Sequence, residues 1–89
     1  MLRKEVTIIN KLGLHARAAS KFVTLASGFQ SDIRLARGNR EVNGKSILGV
    51  MMLAAGRGTA LEIIAEGADE ERAVHALEEL IGIRFGEEE

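Results

Sequence analysis

The chain has 89 residues, of which 46% are apolar and 28% charged, the balance of a single soluble globular domain over 1–89 and not of a disordered segment. Its 12 Lys and Arg against 13 Asp and Glu leave a net charge of −1, and with 3 Phe, no Trp and no Tyr it has neither a phosphate-backbone footprint nor a base-stacking platform, so nucleic acid is not an expected partner. The absence of cysteine removes disulfides, thiol nucleophiles and thiolate metal sites together.

Leu2 to Ile9 alternates, with Leu2, Val6 and Ile8 on one face and Arg3, Glu5 and Thr7 on the other, which predicts a half-buried strand. Asn10 to Leu14 reads as a loop with Gly13 as its flexible point. From Ala16 to Ser27 the apolar residues Ala19, Phe22, Val23 and Ala26 recur at helical spacing. Gly28 suits the left-handed position after a helix, with Phe29 folding back on the last turn. Ser31 to Arg37 alternates again, Gly38-Asn39 is a tight hairpin signal, and Arg40 to Asn43 is the return strand.

Ser46 is an N-cap for a short helix from Ile47 to about Ala54, broken by Gly56-Arg57-Gly58. Thr59 to Glu66 alternates, with Leu61, Ile63 and Ala65 on one face. The clearest helix runs from Ala68 to about Ile83, with Asp69, Glu70 and Glu71 crowding the first turn and Val74, Leu77, Leu80 and Ile81 as its buried stripe. Glu87-Glu88-Glu89 is expected to be a frayed, solvated acidic tail. The order β-α-β-β-α-β-α, with each strand apolar on one side, predicts an antiparallel sheet with helices on one face.

The longest uncharged stretch, Ser46 to Gly56, is well short of the roughly 20 residues that span a bilayer, so no membrane insertion is expected. Met1 to Glu5 mixes charges of both signs and does not read as an export signal, which makes the cytoplasm the expected compartment.

Few side chains carry chemistry. His75 has Glu71 and Glu79 one turn to either side, but two flexible carboxylates and one imidazole on a solvated helix are a weak ligand set, so no metal site is expected. His15 stands where a glycine-containing loop becomes a helix, beside amides that bind anions. Imidazole there can attack phosphorus, and the Arg17 guanidinium offers a fixed fork of donors for the phosphoryl oxygens. On position alone, a helix-capping His15 and an ordinary surface Arg17 stay open beside that reading.

Gly44-Lys45-Ser46 invites comparison with a nucleotide-binding P-loop, but the motif needs glycine at position 39, where this chain has asparagine. Ser46 is left as a cap, or as a serine whose phosphate would meet a helix N-terminus. The segment Ile47 to Ala55 is apolar all round, with Ile47, Val50 and Met51 sharing one face and Leu48 and Met52 off it, so part of it must be exposed. Adjacent methionines suit a patch that meets more than one partner.

Gly13-Leu14-His15-Ala16-Arg17, followed by Lys45-Ser46-Ile47 and Gly49-Val50-Met51, resembles HPr, the histidine-containing phosphocarrier of the bacterial phosphoenolpyruvate-dependent phosphotransferase system. The likeness runs from Lys4 to about Ile83. It implies an α+β open-faced β-sandwich, a four-stranded antiparallel sheet with three helices on one face. It also implies that His15 accepts a phosphoryl group on Nδ1 from phosphorylated enzyme I and passes it to an enzyme IIA component. Arg17 would steady that group, and Ser46 would match the regulatory serine of an HPr kinase/phosphorylase.

The docking surface would combine Ile47, Leu48, Met51 and Met52 with Ser20, Lys21 and Thr24. On this resemblance the chain is a monomeric, stoichiometric relay that needs no cofactor, and not a turnover enzyme. The rival is a regulatory module controlled at Ser46, without carrier activity. Ala18 replaces the proline usual in the family, which should leave the helix intact with a freer first turn. Met51 to Ala55 is also similar to the nitrogen-related branch, NPr, and the sequence leaves the sugar and nitrogen branches both open.

Overall fold

Period-two alternation in three segments and helical spacing in two others fix the elements of a computed structural model that describes residues 1–89. In chain order these are β1 (Leu2–Thr7), α1 (Ala16–Ser27), β2 (Asp32–Arg37), β3 (Arg40–Asn43), α2 (Ile47–Met52), β4 (Ala60–Glu66) and α3 (Glu70–Gly82), followed by a short 3-10 turn at Arg84–Gly86. The strands form one antiparallel sheet in the order β1-β4-β2-β3. Arg37 pairs with Arg40 across the hairpin, and Gly38 takes the positive φ that a two-residue turn requires.

β4 is central, with Val6 of β1 opposite Leu61 and Leu35 of β2 opposite Ile63. Its inward residues join Phe22 and Val23 of α1 and Val74, Leu77 and Ile81 of α3 in one core of 21 buried residues. On the sheet's other face Ile64 is also buried, a position that the alternation assigned to solvent. Arg3 and Arg34 are its cross-strand partners on either side, so their aliphatic stems can cover it while their guanidinium groups pair with Glu62 and Asp32.

Several expected boundaries move. β1 stops at Thr7, although Ile8 stays fully buried and exchanges backbone bonds with Thr59 and Gly58. α2 ends at Met52 and not near Ala54, because Ala54 takes a left-handed φ of 52° and the Arg37 guanidinium caps the helix by donating to the carbonyls of Leu53 and Ala54.

α3 starts at Glu70, two residues later than expected, because Asp69 serves another purpose. Its carboxylate accepts the amides of Gln30 and Ser31 at 2.9 Å each and the Ser31 hydroxyl, tying the start of β2 to the start of α3. Gly28 does not adopt the left-handed conformation expected of it: φ is −77°, and α1 closes with amides 28 and 29 bonded to the carbonyls of Leu25 and Ala26. No helix is long and apolar enough to cross a membrane.

Candidate functional site

The loop before α1 is folded by one buried side chain. Asn10, fully buried, donates from Nδ2 to the Gly13 carbonyl at 2.8 Å, and the Leu14 amide donates to the Ala55 carbonyl at 2.9 Å. Gly13 has a φ of 67°, and a Cβ there would stand 2.5 Å from the Ala55 carbonyl oxygen, so glycine is required at this crossing. The result delivers His15 to the N-cap position of α1 with extended backbone angles.

His15 makes no side-chain capping bond, so its ring is free for other work. The first intrahelical bond runs from Ala19 to the His15 carbonyl, which leaves the amides of Ala16, Arg17 and Ala18 without a partner in the protein. Those unpaired N–H groups and the helix dipole favour an anion beside the ring. Arg17 is exposed and enters no ion pair. Ala18 is buried without disturbing the first turn, in line with the expectation that α1 tolerates alanine there.

The ring's contact comes from the far end of the chain. A Glu87 carboxylate oxygen meets His15 Nε2, and the second accepts from Asn10 Nδ2 at 2.9 Å. The bond from Asn10, and beyond it the His15 ring, holds the Glu87 carboxyl below the usual glutamate range against the opposing effect of burial. A carboxylate at Nε2 keeps a proton on that nitrogen and leaves Nδ1 with the lone pair, which is the nucleophile a phosphoryl acceptor needs.

The tail is therefore not frayed as expected, although Glu88 and Glu89 do face solvent. Arg84, Phe85 and Gly86 all take positive φ, a reversal that seats Phe85 in the core at 1% exposure and turns the acidic segment back over the loop. Lys21 Nζ donates to the Phe85 carbonyl at 2.6 Å, and the Lys11 amide donates to the Glu89 carbonyl at 2.6 Å. Sequence reasoning missed both Asn10 and Glu87. A polar residue between the inward Ile8 and the Gly13 turn is a signal for the first, whereas nothing local marks the second.

Ser46 is the N-cap of α2 as expected: its Oγ accepts from the Gly49 amide at 3.1 Å. No hydrogen bond links it to His15. In α2 only Val50 is buried; Ile47, Leu48, Met51 and Met52 are 44%, 70%, 38% and 51% exposed. The expected shared face of Ile47, Val50 and Met51 is thus not an inward one, because a helix this short turns only one position fully into the core. Ser20, Lys21 and Thr24 line a groove between α1 and α3 with Leu25, Gly28 and Leu80. His75 is exposed and reaches Glu79 at 3.9 Å, while Glu71 does not join them in a cluster.

Residues 2–82 match the family model described as PTS HPr component phosphorylation site. The chain belongs to the HPr family. It is 53% identical over 89 residues to the phosphocarrier protein HPr of Neisseria meningitidis, covering 100% of both chains. The crystal structure of HPr-C-His from Thermoanaerobacter tengcongensis superposes with a TM-score of 0.96 at 47% identity, again over 100% of both chains. An HPr dimer from the same organism matches with a TM-score of 0.78 at 50% identity, covering 94% of this chain and 99% of the other. The four-stranded antiparallel sheet with three helices is accordingly the HPr fold.

Proposed function

We propose that this chain is a phosphocarrier of the phosphoenolpyruvate-dependent phosphotransferase system, with His15 as its phosphoryl acceptor. The observation that carries the reading is an imidazole at a helix N-terminus that caps nothing, flanked by the unpaired amides of Ala16, Arg17 and Ala18. Family membership supports the same role.

In the transfer, the Nδ1 lone pair attacks phosphorus as the bond from phosphorus to its donor breaks. Before transfer, the Glu87 carboxylate at Nε2–H holds the ring of the empty carrier with Nδ1 free to attack. Arg17, free of other partners, neutralises the phosphoryl oxygens together with the helix amides. The donor is phosphorylated enzyme I and the acceptor an enzyme IIA component, both docking on Ile47, Leu48, Met51 and Met52 with Ser20, Lys21 and Thr24. This is stoichiometric relay and not turnover, since the phosphoryl group accepted on one ring nitrogen leaves from the same nitrogen to the next partner.

Ser46 is the regulatory phosphorylation site for an HPr kinase/phosphorylase in this reading, since an added phosphate would meet the start of α2. The carrier acts as a cytoplasmic monomer, the exposed apolar face of α2 serving each partner in turn.

Incubation with enzyme I and phosphoenolpyruvate, followed by intact mass before and after mild acid, tests the role. One acid-labile phosphoryl group on the wild type and none on His15→Ala is the expected result. No transfer to a folded wild type, from enzymes I of either branch, would sink the proposal and move the weight to Ser46 control.

A further inference from the structure

The acidic segment 87–89 is held at four points. Phe85 anchors it in the core, and Lys21 Nζ clamps the Phe85 carbonyl at 2.6 Å. Glu87 then bridges Asn10 and His15, and the Glu89 carbonyl accepts the Lys11 amide, with Lys11 Nζ 3.8 Å from the Glu89 carboxylate. Arg84 and Phe85 occupy the left-handed region at φ of 59° and 56°, a conformation that side-chain-bearing residues adopt only when their surroundings enforce it. The reversal therefore aims residues 87–89 at His15, and Gly86, with φ of 79°, stands as the pivot between anchor and strap.

The contact that seats the strap is a carboxylate on an imidazole. A phosphoryl group on that same ring brings close to two negative charges beside Glu87, with Glu88 and Glu89 adjacent, and like charges at this range repel. We propose that Glu87–Glu89 is an electrostatic strap, seated on the empty carrier and expelled from it when His15 is phosphorylated. The inference rests on the carrier reading of His15 and adds a consequence for recognition. Expulsion frees Asn10 and Lys11 from their acidic partners and leaves them, with the already exposed Leu12, beside the phosphoryl group, so the loaded and empty forms present different surfaces. A partner can then distinguish a carrier with cargo from one without it, by a surface that is basic and apolar in one form and acidic in the other.

The Lys11 amide reports the strap directly, because its only protein partner is the Glu89 carbonyl. Its hydrogen exchange is followed by NMR in the free chain, in the chain phosphorylated by enzyme I and phosphoenolpyruvate, and in His15→Asp and His15→Asn. Exchange is expected to quicken about tenfold or more on phosphorylation and in His15→Asp, where a carboxylate faces Glu87. It is expected to change by no more than about threefold in His15→Asn, which loses the ring contact without adding charge. Adding Glu87→Gln to His15→Asp should return the amide towards its wild-type rate.

Unchanged protection in both charged forms would overturn the strap, as would equal loosening by His15→Asn and His15→Asp. If intact mass shows that His15 takes no phosphoryl group, the carrier reading fails on its own, and the His15→Asp series still decides whether added charge expels the strap.

Discussion

Gly13 lies so close to Ala55 that a Cβ at position 13 would stand 2.5 Å from the Ala55 carbonyl oxygen and 2.8 Å from the Gly56 Cα. The same carbonyl accepts the Leu14 amide at 2.9 Å, so the turn after α2 is the rest against which the His15 loop is set. Gly13→Ala must clear this contact and also hold an alanine at a φ of 67°. Left-handed backbone costs about 1–2 kcal/mol and overpacking about 1–3 kcal/mol, so the variant should lose about 2–5 kcal/mol in urea denaturation. Because the displaced loop carries His15, phosphoryl acceptance from enzyme I should fall by more than the change in folded fraction accounts for. Wild-type stability in Gly13→Ala would refute the close approach.

The Ser31–Asp69 clamp sets an acid limit. The Ser31 hydroxyl, then the Gln30 amide, lower the Asp69 carboxyl from 3.8 to about 2. A depressed carboxyl contributes stability that is complete above the unfolded value and is lost as pH falls through the folded one. The clamp should therefore weaken between pH 3.8 and about 2 and be intact at neutral pH. Urea midpoints measured across that window should fall more steeply for the wild type than for Asp69→Asn, which has no carboxyl to protonate. Parallel slopes for the two proteins would show that Asp69 does not titrate with folding.

What could be read from the sequence follows the range of the interactions involved. β1, β2 and β4 announce themselves by alternation, α1 and α3 by helical spacing and the hairpin by Gly38-Asn39, because each is a local pattern. The places of His15, Arg17 and Ser46 at helix starts are legible for the same reason, being marked by their own neighbours. Asp69 was assigned to the macrodipole of α3, yet it bonds backbone 38 and 39 residues away. Glu87 was assigned to solvent, yet it lies on a ring 72 residues earlier. Both errors come from carboxylates whose partners are distant in sequence, and Ile64 is buried between cross-strand partners, Arg3 and Arg34, that are distant in the same way.

The buried Ala18 amide, like those of Ala16 and Arg17, bonds to nothing in the protein, and in the first turn of α1 it points toward the end of the helix where His15 stands. Ala18→Pro removes that donor, and proline is tolerated in the first helical turn, so stability should change by less than about 1 kcal/mol. The phosphohistidine should hydrolyse severalfold faster, since one of its hydrogen-bond donors is gone. Half-lives from the decay of the phosphorylated mass at neutral pH provide the check. Equal half-lives would mean that the Ala18 amide does not touch the phosphoryl oxygens.

Ser46 can be separated into cap and switch. Its Oγ accepts the Gly49 amide at 3.1 Å, so Ser46→Ala should cost about 1 kcal/mol of stability, whereas Ser46→Asp keeps an acceptor at the N-cap and should cost less. If the position also governs docking, Ser46→Asp should slow transfer from enzyme I severalfold while Ser46→Ala does not. Thermal melts and transfer rates measured on the same two variants give both answers. Equal transfer rates in the two would leave Ser46 a cap only.

Leu48 is the most exposed large apolar side chain of α2, at 70%, while the neighbouring Val50 anchors the helix in the core. A side chain so exposed contributes little to folding, so Leu48→Glu should alter stability by no more than about 0.5 kcal/mol. At the centre of a docking patch the same change buries an unpaired carboxylate against the partner, which costs several kcal/mol. Transfer from enzyme I should then fall by about tenfold or more through KM, with the acceptor chemistry at His15 untouched at saturating donor. Val50→Ala is the contrasting variant, since it leaves a cavity under the helix and should destabilise the fold before it affects docking. If Leu48→Glu transfers as well as the wild type, the exposed face of α2 is not where the donor binds.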